Sequence, residues 1–74
     1  MKEWISCLDH LPQKGKLVVV RNGQGELSHG RIIGEASDNI HLIYERHFQI
    51  RCREIKYISY DSTWMYLSDY FKVE

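Results

Sequence analysis

Between residues 30 and 53 apolar and polar side chains take turns with a period of two. The stretch reads GRIIGEASDNIHLIYERHFQIRCR. In residues 40–44, Ile40, Leu42 and Tyr44 fall on one face, with His41 and Ile43 on the other. In residues 48–53, Phe48, Ile50 and Cys52 point inward, while Gln49, Arg51 and Arg53 point outward. Both runs are rich in the β-branched and aromatic residues that strands favour. A third run, residues 30–36, precedes them. Ser37-Asp38-Asn39 reads as a tight turn, because Asp and Asn tolerate left-handed backbone and bond to their own amides. Glu45-Arg46-His47 reads as a polar connection. Gly34 inside a strand marks a bend, a bulge or the close approach of another backbone. The pattern predicts a three-stranded antiparallel meander. It excludes a helix over residues 32–50, since the apolar residues do not recur at three-to-four spacing.

The flanking chain supplies the remaining elements. Trp4-Ile5-Ser6 begins a short strand, and residues 7–11 form a turn or one helical turn closed by Pro12. Residues 13–16 are an exposed loop. Leu17-Val18-Val19-Val20-Arg21 is a short continuous apolar run and hence a central strand. Asn22-Gly23 is a strong hairpin signal, and Gly25 leaves room for a turn longer than two residues. The strand that follows runs from about Glu26 to Ala36. Residues 54–60 read as a 3₁₀ turn leading into a strand, residues 61–63 as a turn, and Trp64-Met65-Tyr66-Leu67 as a last strand before a polar-aromatic tail. The predicted fold is all-β: a small, strongly bent antiparallel sheet of about five strands, or that sheet curled into a partly open SH3-like barrel. The expected core is Trp4, Ile5, Val18, Val20, Ile32, Ile40, Leu42, Phe48, Ile50, Ile58, Trp64 and Leu67.

Length adds the expectation of a single domain over residues 1–74. A core this thin yields roughly 3–5 kcal/mol, so homodimerisation is a natural way to add burial. Ten basic residues balance ten acidic ones, so the global positive charge common among nucleic-acid binders is missing. Charge is uneven locally: Arg46, Arg51, Arg53 and Lys56 face only Glu54 in their stretch. No segment approaches the roughly 20 apolar residues of a membrane span. With no leader-like start and two cysteines far apart, the expected setting is the cytoplasm, with reduced thiols and no membrane partner.

Each candidate chemistry has a plainer structural counterpart. Cys7-x-x-His10 has the spacing of half a zinc site, but a second close pair is missing, so a small buried thiol beside a surface imidazole is the better expectation. No nucleophile–base signature is present; no catalytic residue, cofactor or metal is expected, and the chain is not expected to be an enzyme. If Arg51 and Arg53 share a strand face flanked by Arg46 and Lys56, and aromatic rings lie close, single-stranded nucleic acid is a possible ligand of an SH3- or Sm-like barrel. Outward charges on a strand are more often its solvated face. Five tyrosines exceed what a small core needs. Tyr66, Tyr70 and Phe71 beside the acidic tail suggest an edge for protein docking.

Trp4-Ile5-Ser6, then Leu11-Pro12, then Leu17-Val18-Val19-Val20, together with Trp64-Met65-Tyr66-Leu67, resemble the opening and closing motifs of a phage- and prophage-borne family of unknown function. The resemblance covers the two ends and only loosely the middle. The family pattern continues with Pro after the last Leu, where this chain has Ser68. It implies a small bacterial or phage protein and supplies no catalytic residues. The leading functional expectation is therefore a non-enzymatic module that docks on and inhibits a host protein, one of defence or of nucleic-acid processing. A small barrel that binds single-stranded nucleic acid is the alternative. The binding residues expected are Arg46, Arg51, Arg53, Lys56, Tyr66, Tyr70 and Phe71.

Overall fold

The computed structural model describes residues 3–49 and 51–71. Six strands, β1 (Ile5–Ser6), β2 (Val18–Arg21), β3 (Leu27–Glu35), β4 (His41–Gln49), β5 (Cys52–Ser59) and β6 (Thr63–Tyr66), precede one helical turn, α1 (Leu67–Tyr70). All pair antiparallel in one sheet of order β1-β6-β2-β3-β4-β5. The sheet is open: β1 and β5 are its two edges, and it does not close into the barrel considered above. The fold is thus all-β, with one strand more than the pattern predicts.

The turns follow from the side chains that build them. At the β2–β3 connection, Asn22 Oδ1 accepts the amides of Gln24 and Glu26 at 2.9 and 3.0 Å, and Gly25 adopts φ +85°. The turn is therefore longer than Asn22-Gly23. At the β3–β4 connection, Asp38 Oδ1 accepts the amides of Ile40 and His41, and Asn39 takes φ +63°. This turn claims Ile40, which is 62% exposed and lies outside the core that was expected to hold it. β3 carries a register shift between Ile32 and Gly34, the bulge that the glycine predicts.

The largest departure is the β4–β5 hairpin. Residues 48–53 are not one strand: Gln49 pairs with Cys52, and Arg51 sits in the turn at φ +71°. Glu45, Arg46 and His47 are not a connection but the middle of β4. Phe48, at a second register shift, is 47% exposed and not a core residue. Ile50 lies outside the described residues. Residues 54–60 contain no 3₁₀ turn, since β5 runs straight to Ser59.

The register assigns each face. The inner face carries Ile5, Trp64, Tyr66, Val18, Val20, Gly30, Ile32, Leu42, Tyr44 and Ile58 in facing pairs. Its buried cluster is Cys7, Val18, Val20, Ile32, Leu42, Tyr44 and Trp64, with Ile5, Ile58, Tyr60 and Tyr66 packed against it. The segment after β1 crosses over this face and is tied to β6: Trp64 Nε1 donates to the His10 carbonyl at 2.8 Å, and the Tyr66 hydroxyl accepts the Gln13 amide at 3.1 Å. Val19 and Met65, also buried, face the opposite way. Trp4 and Leu67, expected in the core, are half-buried.

Candidate functional site

The outer face of the sheet divides into two halves. Over β2 and β6 it is covered: α1 packs on these two strands, and Val19 and Met65 are buried beneath. Trp4 belongs to this cover. Its ring lies under the Arg21 guanidinium, 4.5 Å from the centroid, and meets the Tyr70 ring edge-on at 6.3 Å. Over β3, β4 and β5 the same face is bare. Leu27, Ile33, Ile55 and Tyr57 are each at least 40% exposed there, reaching 65% at Tyr57.

Polar residues lie among these apolar ones as a network built by cross-strand pairing. Arg31 faces Glu45, His29 faces His47, and His47 faces Arg53. Glu45 accepts from His47 Nε2 at 3.1 Å; Arg31 Nε stands at 3.1 Å from the same carboxylate, an ion pair without hydrogen-bond alignment. The His47 bond first, then the charges of Arg31 and Arg53, hold the Glu45 carboxyl below its ordinary range. The His29 and His47 rings meet edge-on at 6.1 Å. The bare half thus presents aliphatic and tyrosyl surface around a charge network centred on the Glu45 carboxylate.

On the inner face a cleft of about 420 Å³ opens beyond the core, lined among others by Ser28, Tyr44, Arg46, Lys56 and Ile58. Tyr44 and Ser28 share a hydroxyl–hydroxyl bond at 3.0 Å. Burial raises the Tyr44 phenol, so it stays protonated, with Ser28 and Arg46 opposing the shift in part. Arg46 is engaged twice, by Glu54 at 2.6 Å and by the Phe48 ring at 5.3 Å.

The binding residues expected from sequence are scattered. Arg46 and Lys56 line the inner cleft, Arg53 faces the outer side, and Arg51 occupies the hairpin turn. Arg51 and Arg53 therefore do not share one strand face. Tyr66 lies on the inner face beneath Lys16, while Tyr70 bridges Trp4 and Phe71 on the covered half of the outer face. Three strand spacings, roughly 14 Å, separate β6 from β4. What sequence reasoning missed is the bare face, because its residues alternate across two strands whose boundaries were misplaced.

Cys7 is buried, and burial, aided by the Asp61 carboxylate, pushes its thiol up to about 11. At neutral pH it is a protonated packing group. Among the described residues no cluster of three metal-ligating side chains occurs, and no helix is long and apolar enough to cross a membrane. The fold and its faces define the class: an open antiparallel sheet with one half-face uncovered. No family model, curated protein or solved structure matches the chain.

Proposed function

We propose that this protein is a non-enzymatic binding module that acts by laying the bare β3–β5 half of its outer face on a protein partner. The observation that carries the reading is the contrast between the halves: one is covered by α1 and Trp4, the other leaves Leu27, Ile33, Ile55 and Tyr57 exposed around the Arg31–Glu45–His47 network. A mainly apolar patch suits a protein surface better than a phosphate backbone, which rewards clustered cations. The dispersal of Arg46, Arg51, Arg53 and Lys56 favours the same choice. The setting rests on the terminal motifs: a phage or prophage accessory protein in the bacterial cytoplasm, inhibiting a host protein of defence or nucleic-acid processing.

The test is quantitative affinity capture from bacterial lysate with the wild type and with Leu27→Asp/Ile33→Asp, two exposed positions on β3. A stoichiometric partner retained in high salt and lost with the double variant supports the reading. Recovery of the same partner by both proteins, or of none, refutes it. Capture of single-stranded nucleic acid that falls steeply with salt would favour the alternative.

A further inference from the structure

The two edges of the sheet are unequal. β1 is two residues long, whereas β5 presents eight, Cys52–Ser59, hydrogen-bonded on one side only, to β4. An unpaired edge of that length is a template for another strand unless it is defended. β5 carries charges, the common defence, but of both signs and two residues apart on one face. Glu54 and Lys56 point inward, as their partners Arg46 and Tyr44 do; Arg53, Ile55 and Tyr57 point outward.

We infer that β5 pairs with β5 of a second copy, antiparallel, about a two-fold axis through Ile55. The occupant and register follow from charge. A two-fold axis perpendicular to the sheet sets opposite one another only residues of one face, so the axis passes through a residue rather than between two. Centred on Glu54 or on Lys56, it places identical charges face to face, which destabilises. Centred on Ile55, it sets Glu54 opposite Lys56 of the second copy, twice. Arg53 then stands opposite Tyr57 of the second copy, twice, suited to a guanidinium over a ring. Cys52 meets Ile58, and the two Ile55 side chains meet on the axis.

The residues are prepared for such partners. Lys56 has no ion pair within the chain among the described residues, and Tyr57 is the most exposed large apolar side chain of the strand. Glu54 already holds Arg46, so a Lys56 from the second copy would complete a three-membered charge row across the seam. The contact is isologous and consumes the long edge of each copy, leaving only the short β1 edges, so assembly stops at two. The inference shares Ile55 and Tyr57 with the outer-face docking reading, but its deciding charges, Glu54 and Lys56, lie on the inner face, so the two are tested by different variants.

Sedimentation equilibrium or light scattering of the full chain at micromolar concentration tests it. The wild type should show twice the 8.8 kDa monomer mass. Lys56→Glu breaks no ion pair among the described residues and should raise the dissociation constant roughly tenfold or more, as two attractive pairs become repulsive. Glu54→Lys should do the same, with circular dichroism checking the fold because Arg46 loses its partner. The Glu54→Lys/Lys56→Glu exchange, and an equimolar mixture of the two single variants, should dimerise again. In a Cys52→Ser background, Ile55→Cys should form an intermolecular disulfide on mild oxidation, because directly opposed strand residues lie within disulfide reach. A monomeric wild type, a Lys56→Glu protein that dimerises as the wild type does, or an Ile55→Cys protein that fails to cross-link overturns the inference.

Discussion

Gly30→Ala should unfold much of this protein, although the change adds one methyl group in a strand. Gly30 lies in β3 between Val18 of β2 and Arg46 of β4, near the middle of the sheet. A Cβ there would fall inside the van der Waals envelope of the Glu45 carbonyl oxygen and 3.0 Å from Arg46 Cα. These are backbone atoms, so no rotamer relieves the clash; β3 and β4 must part by about 1 Å, well beyond the slack of a packed interior. Overpacking of this kind costs about 1–3 kcal/mol. Weakening two ladder hydrogen bonds beside it adds about 1–2 kcal/mol. Against this, replacing glycine restricts the unfolded chain and returns about 0.4–1 kcal/mol. The net is a loss of about 2–4 kcal/mol, comparable to the whole stability of a core this size. In a thermal melt that is a fall of more than about 10 °C. Gly34→Ala is the internal control. The same Cβ meets nothing within 4 Å there, and the backbone is not left-handed, so the variant should melt at or slightly above the wild type. The close approach of β3 and β4 is refuted if Gly30→Ala melts within about 2 °C of the wild type.

Three further outcomes follow. With its thiol pushed up to about 11, roughly one Cys7 in a thousand is thiolate at pH 8, so a thiol reagent should modify Cys52 in the native protein and Cys7 only after denaturation; equal labelling rates would contradict the burial. The Ile40 amide first, then the His41 side chain, hold the Asp38 carboxyl below its ordinary 3.8. A lowered acid stabilises the fold above the unfolded value, and the gain is lost as pH falls through the folded one. Wild-type melting temperature should therefore drop as pH falls below about 4, and Asp38→Asn should flatten that drop; parallel curves would refute it. Trp64→Phe removes the indole N–H that binds the His10 carbonyl and should cost about 1–3 kcal/mol in urea unfolding, with an unchanged midpoint as the contrary result.

The sequence was most legible where punctuation and periodicity agreed. Asp38-Asn39 and Asn22 through Gly25 form turns where side chains with local acceptors predict them, and Val18, Val20, Ile32, Leu42 and Trp64 are buried on the expected face. It was illegible at the β4–β5 hairpin for a definite reason. The turn there contains Arg51, and residues 48–53 continue the alternation in sequence and include no glycine, asparagine or proline. Glu45-Arg46-His47, three polar residues in a row, is the more obvious break. Yet they find partners once the strands pair: Glu45 meets Arg31 across the sheet and His47 along its own strand, and Arg46 meets Glu54 across the sheet. Those partners are distant in sequence for Arg31 and Glu54, and only pairing reveals them. Tyr44 shows a milder failure. Its face was evident, but its depth depends on the Ser28 hydroxyl pairing with its own.

Moving that hairpin by a few residues also changes what the surface can do. A turn at 45–47 would have given short strands and a basic strip along one of them. With the turn at Arg51 instead, β4 reaches nine residues and β5 eight. The arginines part to opposite faces, Arg46 is committed to Glu54, and a long edge appears whose charges are complementary to themselves. The two proposed contacts share Ile55 and Tyr57 but are separated by the residues that decide each. Docking on the outer face needs Leu27 and Ile33 and is indifferent to Glu54 and Lys56, whereas pairing along β5 needs the two charges and is indifferent to β3. If Lys56→Glu abolished both dimerisation and partner capture while Leu27→Asp/Ile33→Asp abolished only capture, the partner would be reading the joined outer faces of two copies, and the edge would be part of the binding site.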